Sequence, residues 1–216
     1  MIKNIIFDLG GVVVEWNPKL ILQTFPGNPD LIRYIHANGF FSNYWSAYDK
    51  GILTREQVIE KIAPLTGCSV EDCNEFIEFV KVSLVNIPET EKLIQELSQR
   101  DYKLFCLSNM SEDFYEYLKP RKDFSYFEGK IISAIEKMVK PDREIYELLL
   151  NRYHLKAEES LFIDDLPANI QAAQKMGIHT VHFTDKEKAY QEIKDRLKTS
   201  QRCIVDSNNG NTTSLR

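Results

Sequence analysis

Short apolar runs alternate with longer stretches in which apolar residues recur every three or four positions. The runs "NIIFDL" (residues 4–9), "KLFCLSN" (103–109), "SLFIDD" (160–165) and "HTVHF" (179–183) have the length of β-strands. All but the last carry a polar residue at or next to their end that can project from the carboxyl edge of a sheet. Between and after them, "ETEKLIQELSQR" (89–100), "DREIYELLLNRY" (142–153) and "PANIQAAQKMG" (167–177) read as amphipathic helices, the last closing on Gly177 as a terminator. Strand alternating with helix predicts an α/β fold, a Rossmann-like parallel sheet covered by helices on both faces.

Residues 17–85 follow a different rule, with helical periodicity and no strand-like run. Pro18, Pro26-Gly27, Asn38-Gly39, Gly51 and Gly67 punctuate the segment into four or five helices. Thr54 to Gln57 has the pattern of a capping box, and Ser69 to Asp72 that of a weaker helix start. The expected organisation is a discontinuous core of residues 1–16 and 86–198, an inserted α-helical cap of residues 17–85, and a polar, solvated tail of residues 199–216. Within the insert, Phe41, Trp45 and Tyr48 share one helical face, a pattern expected of bundle core. Trp16, at the junction, is placed to line an entrance.

Composition narrows the function classes. Across 216 residues, 43% hydrophobic and 27% charged is the balance of a folded chain long enough to bury a core. A net charge of -5 leaves no basic footprint for nucleic acid or an anionic membrane, and no apolar run has membrane-spanning length. Cys68, Cys73, Cys106 and Cys203 form no C-x-x-C pair, and the N-terminus lacks a cleavage site, so the expected compartment is the reducing cytoplasm. The four histidines are scattered without ligand spacing and are read as structural.

Chemistry concentrates where strands stop. In open α/β sheets ligands bind beyond the carboxyl ends of the strands, and Asp8, Ser108, Asn109, Asp164 and Asp165 all fall there. Each alone would suit helix capping or a turn. Together they suit phosphoryl transfer. A strand-end carboxylate can attack phosphorus to form an aspartyl-phosphate, and Gly10 and Gly11 after Asp8 let backbone amides approach phosphate oxygens. Asp8 with Asp164 and Asp165 makes an oxygen-rich cluster that calls for a hard cation, Mg²⁺ where phosphate supplies further ligands. Lys140 adds a point charge beside the nucleophile, with the Ser108 hydroxyl and the Asn109 amide as donors to phosphate oxygen.

The order Asp8 in "FDLGG", Ser108-Asn109 in "LSN", Lys140-Pro141, then Asp164-Asp165 in "FIDDLPANIQAAQKMG" resembles the haloacid dehalogenase superfamily of hydrolases, over nearly the whole core. The insert is similar to the C1 helical cap of that superfamily, and the start "DLGGVVVEWNP" resembles the branch that includes glucose-1-phosphate phosphatases. The resemblance implies an Mg²⁺-dependent phosphatase acting on a small phosphorylated metabolite. It implies Asp165 as a direct metal ligand, the Gly10 carbonyl as another, and Asp164 as a ligand or its neighbour. Many of these phosphatases carry a second Asp where this chain has Gly10. Acid–base help is worth about 10²–10⁴ in rate, so its loss points to an acidic leaving group such as that of a hexose 1-phosphate. Glu15 is the nearest downstream carboxylate that could swing in. Asn169 stands where the family often has an acid, and Lys137 where the branch often has glycine. Two other readings remain open: a dehalogenase that attacks carbon through the same Asp8, and a non-catalytic binding or scaffolding homologue.

Overall fold

The computed structural model describes residues 1–208, apart from the side chains of residues 40–43 and 199–208. Five parallel strands, β1 (Asn4–Phe7), β2 (Lys103–Ser108), β3 (Gly129–Ile132), β4 (Ser160–Asp164) and β5 (His179–His182), form one sheet in the order β3-β2-β1-β4-β5. β1 is central because Ile5, Ile6 and Phe7 are apolar toward both faces, and all three are fully buried. Its register sets Phe7 beside Cys106 of β2 and Ile163 of β4. The next residue, Asp8, continues the ladder through its N–H to the Ile163 carbonyl, 2.9 Å, and so stands at the carboxyl edge level with Asp164.

Five helices follow β1: α1 (Pro18–Thr24), α2 (Pro29–Asn38), α3 (Phe40–Asp49), α4 (Arg55–Thr66) and α5 (Val70–Val82). The remaining helices are α6 (Pro88–Ser98), α7 (Glu112–Leu118), the single turn α8 (Ser133–Glu136), α9 (Arg143–Arg152), α10 (Pro167–Lys175) and α11 (Lys186–Asn208). Alternation along the strands divides the core. Ile6, Phe105, Leu107 and Phe162 meet Ile145, Leu149 and Ala173 of α9 and α10. Ile5, Phe7, Cys106 and Ile163 belong to a larger cluster with α6, α11 and the α1–α5 insert. Both faces are therefore covered.

The capping boxes at Thr54/Gln57 and Ser69/Asp72 both form, and Gly177 adopts φ +80 after α10. One local reading needs correction. β3 was not among the strand-like runs, because four residues that open on Gly129-Lys130 at a sheet edge carry little apolar signal. In the segment expected to be a solvated tail, α11 continues as helix to Asn208, and residues 209–216 lie outside the described residues. The Phe41 and Cys203 side chains also lie outside them. Trp45 and Tyr48 are buried, as a core stripe should be, but they pack edge-on against Phe114 of α7 at 5.5 and 6.0 Å, which ties the insert to the sheet-bearing part.

Candidate active site

The site grows from the ends of the three middle strands. Asp8 follows β1, Asn109 follows β2, and Asp164 ends β4 with Asp165 next to it. Lys140 arrives from the loop before α9 and is buried to 4% exposure. Its ammonium lies 2.9 Å from Asp8 Oδ1 and 2.6 Å from Asp164 Oδ2, with the Phe162 ring centroid 5.4 Å away. Asn109 fixes this lysine through its main chain, donating from Nδ2 to the Lys140 carbonyl and accepting at Oδ1 from the Lys140 N–H, both at 2.8 Å. The amide expected to serve phosphate thus spends one of its two N–H donors on positioning Lys140.

Asp164 is wholly buried and accepts four hydrogen bonds: from the Leu166 N–H, twice from Asn169 Nδ2, and from Lys140. A carboxylate offers about four lone-pair sites, so these bonds fill it. Asn169, standing where an acid was the family's habit, thereby serves as a donor to Asp164. Oxygens of Asp8, Asp164 and Asp165 lie within 4.8 Å of one another, a spacing that could hold a metal ion.

Three acids facing one lysine leave negative charge uncompensated. Burial pushes the Asp8 carboxyl up to about 7, Lys140 opposes this, and Asp164 and Asp165 push further up. Burial and then Asp164 push Asp165 up to about 6. Burial works against the Lys140 ammonium, but Asp8 and Asp164 outweigh it and hold its pKa above the ordinary lysine value. This imbalance fits the residues to a divalent cation.

The two glycines have different duties. Gly11 has φ +74, and a Cβ there would sit 2.7 Å from Asp165 Oδ2. Gly10 lines the cavity, and a Cβ there would meet only Trp16, at 3.5 Å. Gly11→Ala should therefore cost about 1–2 kcal/mol of stability from left-handed backbone strain alone and displace Asp165, whereas Gly10→Ala should be nearly silent. Thermal melts of the two variants side by side check this; equal melting temperatures would refute it.

Asp8, Gly10, Asn109, Lys140, Asp165 and Asn169 are among the residues that line a cavity of about 200 Å³. Its other walls are Trp16, Trp45, Leu84, Met110, Phe114 and Leu166, together with the carboxyl of Asp49. Ser108 is buried at the end of β2 and does not reach the lining. Glu15 does not either: its carboxylate pairs on the surface with Lys186 at 2.7 Å. Asp49 was missed, since the end of an amphipathic helix gives an acid no distinguishing spacing. His182, read as structural, meets the Asp165 carbonyl at 2.9 Å.

A carboxylate at the tip of the central strand, a buried lysine on it and two acids from the next strand lie together at the carboxyl edge of a Rossmann-like sheet, where proteins of this architecture bind their ligands. The chain belongs to the haloacid dehalogenase-like hydrolase family, whose profile matches residues 2–177. It is 28% identical to a sesquiterpene phosphatase of Aspergillus oryzae over 193 residues, 89% of this chain and 95% of that one. It is also 28% identical to a D-ribitol-5-phosphate phosphatase of Bacteroides thetaiotaomicron, over 83% of this chain and 91% of that one. A haloacid dehalogenase family enzyme of the same bacterium, crystallised with magnesium and inorganic phosphate, shares the fold at TM-score 0.73 and 24% identity, covering 84% of this chain and 94% of that one. Among the described residues no helix is long and apolar enough to cross a membrane.

Proposed function

We propose that this chain is an Mg²⁺-dependent phosphatase that hydrolyses a small phosphorylated metabolite through an aspartyl-phosphate on Asp8. The observation that carries the reading is the buried Lys140 ammonium between Asp8 and Asp164, with Asp165 within 4.8 Å of both acids. Lys140 holds Asp8 in place and neutralises charge as the carboxylate approaches phosphate. Asp8, Asp165 and the Gly10 carbonyl would hold the metal ion directly. Asp164, which accepts from Lys140, Leu166 and Asn169, positions Lys140 and stands beside the metal ligands, one of the two parts expected of it. Bound Mg²⁺ would supply Lewis-acid stabilisation of the transferring phosphoryl oxygens. Asn109 offers its second N–H to the phosphate; Gly11 leaves room for Asp165 rather than being seen to approach a phosphate, and Ser108, buried at the end of β2, is given no phosphate contact.

The six apolar or aromatic side chains around the cavity favour a leaving group with an apolar face or tail over a fully hydrated sugar. The similarity to a sesquiterpene phosphatase supports this choice. A hexose 1-phosphate, whose ring could stack on Trp16, stays as the comparator. Carbon–halogen hydrolysis fits less well, because it gives no use to a cluster of acids that needs a cation. The helices of residues 17–85 are read as the cap that closes over the substrate, and the chain as cytoplasmic.

The test is a panel of isoprenyl, alkyl and sugar phosphates and 2-haloacids, each with Mg²⁺ or EDTA. Mg²⁺-dependent phosphate release with kcat/KM highest for the apolar esters is expected. Halide release without metal, or hydrolysis in EDTA, overturns the reading. Metal should also reverse a pH trend. Because Asp8 and Asp165 have raised pKa values, the folded state binds more protons than the unfolded state from about pH 4 to 7. Without metal, Tm should fall as pH rises through that window. Mg²⁺ should raise Tm more at pH 8 than at pH 5, where protons compete for the same oxygens.

A further inference from the structure

Departure of an alcohol from phosphorus leaves an alkoxide unless an acid protonates it, and the later attack by water needs a base. Gly10 offers neither, and the Glu15 carboxylate does not line the cavity but pairs with Lys186 on the surface. Three carboxyls line the cavity: Asp8, Asp49 and Asp165. Asp8 and Asp165 belong to the cation-holding cluster. Asp49, the last residue of α3, is not a member of that cluster and lines the same cavity as Trp16, Trp45 and Phe114.

We infer that the carboxyl of Asp49 donates the proton to the leaving oxygen and later takes one from the attacking water. The inference rests on the phosphatase reading above. In the first step Asp8 forms a bond to phosphorus, the bond from phosphorus to the ester oxygen breaks with its electron pair, and that oxygen takes the Asp49 proton. In the second, water gives a proton to the Asp49 carboxylate as its oxygen bonds phosphorus, and the bond to Asp8 breaks. Inorganic phosphate leaves, and both side chains return to their starting state.

Two contacts reach Asp49 itself, and a third fastens the turn that follows it. The Ser111 N–H donates to its carboxylate. Ser133 Oγ donates to its backbone carbonyl, and Lys137 Nζ donates to the Gly51 carbonyl at 2.7 Å. The closeness is built in: a Cβ on Gly51, at φ +67, would fall 2.5 Å from the Ala134 carbonyl oxygen. Burial first, then the charges of Asp8 and Asp113, raise the carboxyl well above the ordinary aspartate value against the Ser111 N–H, which suits a group that must carry a proton.

The experiment compares two esters, p-nitrophenyl phosphate, whose leaving group departs as an anion, and n-octyl phosphate, whose leaving group needs protonation. With Asp49→Asn, octyl phosphate turnover should fall about 10²–10⁴-fold. p-Nitrophenyl phosphate should still give a burst stoichiometric with enzyme, followed by slow turnover as the aspartyl-phosphate waits for a base. Asp49→Glu, which keeps the carboxyl, should recover part of the octyl activity. Loss on both esters alike without a burst, in both variants, marks a structural residue and overturns the inference. So does Asp49→Asn activity within about threefold of wild type on octyl phosphate. If the wild type hydrolyses neither ester with Mg²⁺, or Asp8→Asn still gives the burst, it is the phosphatase reading that has failed.

Discussion

Asp8→Asn should lose at least about 10⁴-fold in turnover while melting at the same or a higher temperature than the wild type in metal-free buffer. The amide keeps an oxygen to accept the Leu9 N–H, which now reaches Asp8 Oδ1 at 2.6 Å, so the strand end is held as before. It cannot serve as the attacking carboxylate. It also removes one of three crowded negative charges, whose burial already pushes Asp8 up to about 7, and Lys140 keeps Asp164 as partner. Activity and stability thus move in opposite directions, the signature of a group kept for chemistry at the expense of the fold. Phosphate release within tenfold of wild type would remove Asp8 as nucleophile. A fall in Tm of several degrees would show that its charge supports the fold.

Lys140→Met should reverse that signature. Met fills much of the lysine's volume against Phe162 but leaves Asp8 and Asp164 facing each other in a site where their side chains are 9% and 0% exposed. Removing one partner of a buried ion pair costs about 3–5 kcal/mol. For a chain of this size each kcal/mol shifts Tm by about 2–4 °C, so a loss of roughly 6–20 °C at pH 8 is expected. At pH 5 the loss should shrink, because Lys140 is what holds the raised Asp8 value down, and without the ammonium Asp8 takes up a proton more readily and the repulsion fades. Activity should fall with stability at pH 8, and Mg²⁺ should restore part of the stability but little turnover. Scanning calorimetry at both pH values checks the pair of numbers. A variant melting within about 2 °C of wild type at pH 8 would show that the lysine is dispensable to the buried acids.

Much of this architecture was legible because β1, β2, β4 and β5 are short apolar runs and the polar residues that end three of them converge by topology. The glycines and prolines that split residues 17–85 coincide with real helix ends, and two capping boxes sit where Thr54 and Ser69 announced them. What escaped was what depends on contacts between distant segments. β3 is an edge strand whose identity comes from pairing with β2. The need for Gly11 arises from Asp165, far along the chain, and the use of Asn109 from Lys140. Asp49 reads as one more polar residue at a helix end until α3 is laid over the strand tips. Glu15 erred the other way: near Asp8 in sequence, it is drawn to Lys186 on α11.

The central position of β1 also bears on how the protein is made. Asn4 finds Ser160 only 156 residues later, so at about 5–20 residues per second the ribosome needs roughly 8–30 s between the two. Until then Ile5, Ile6 and Phe7 have an unpaired edge, and Asp8 has no Asp164 beside it. Such a long-range pairing folds slowly and late, and a nascent chain stalled before residue 160 would present a sticky strand to whatever chaperone or neighbour met it first.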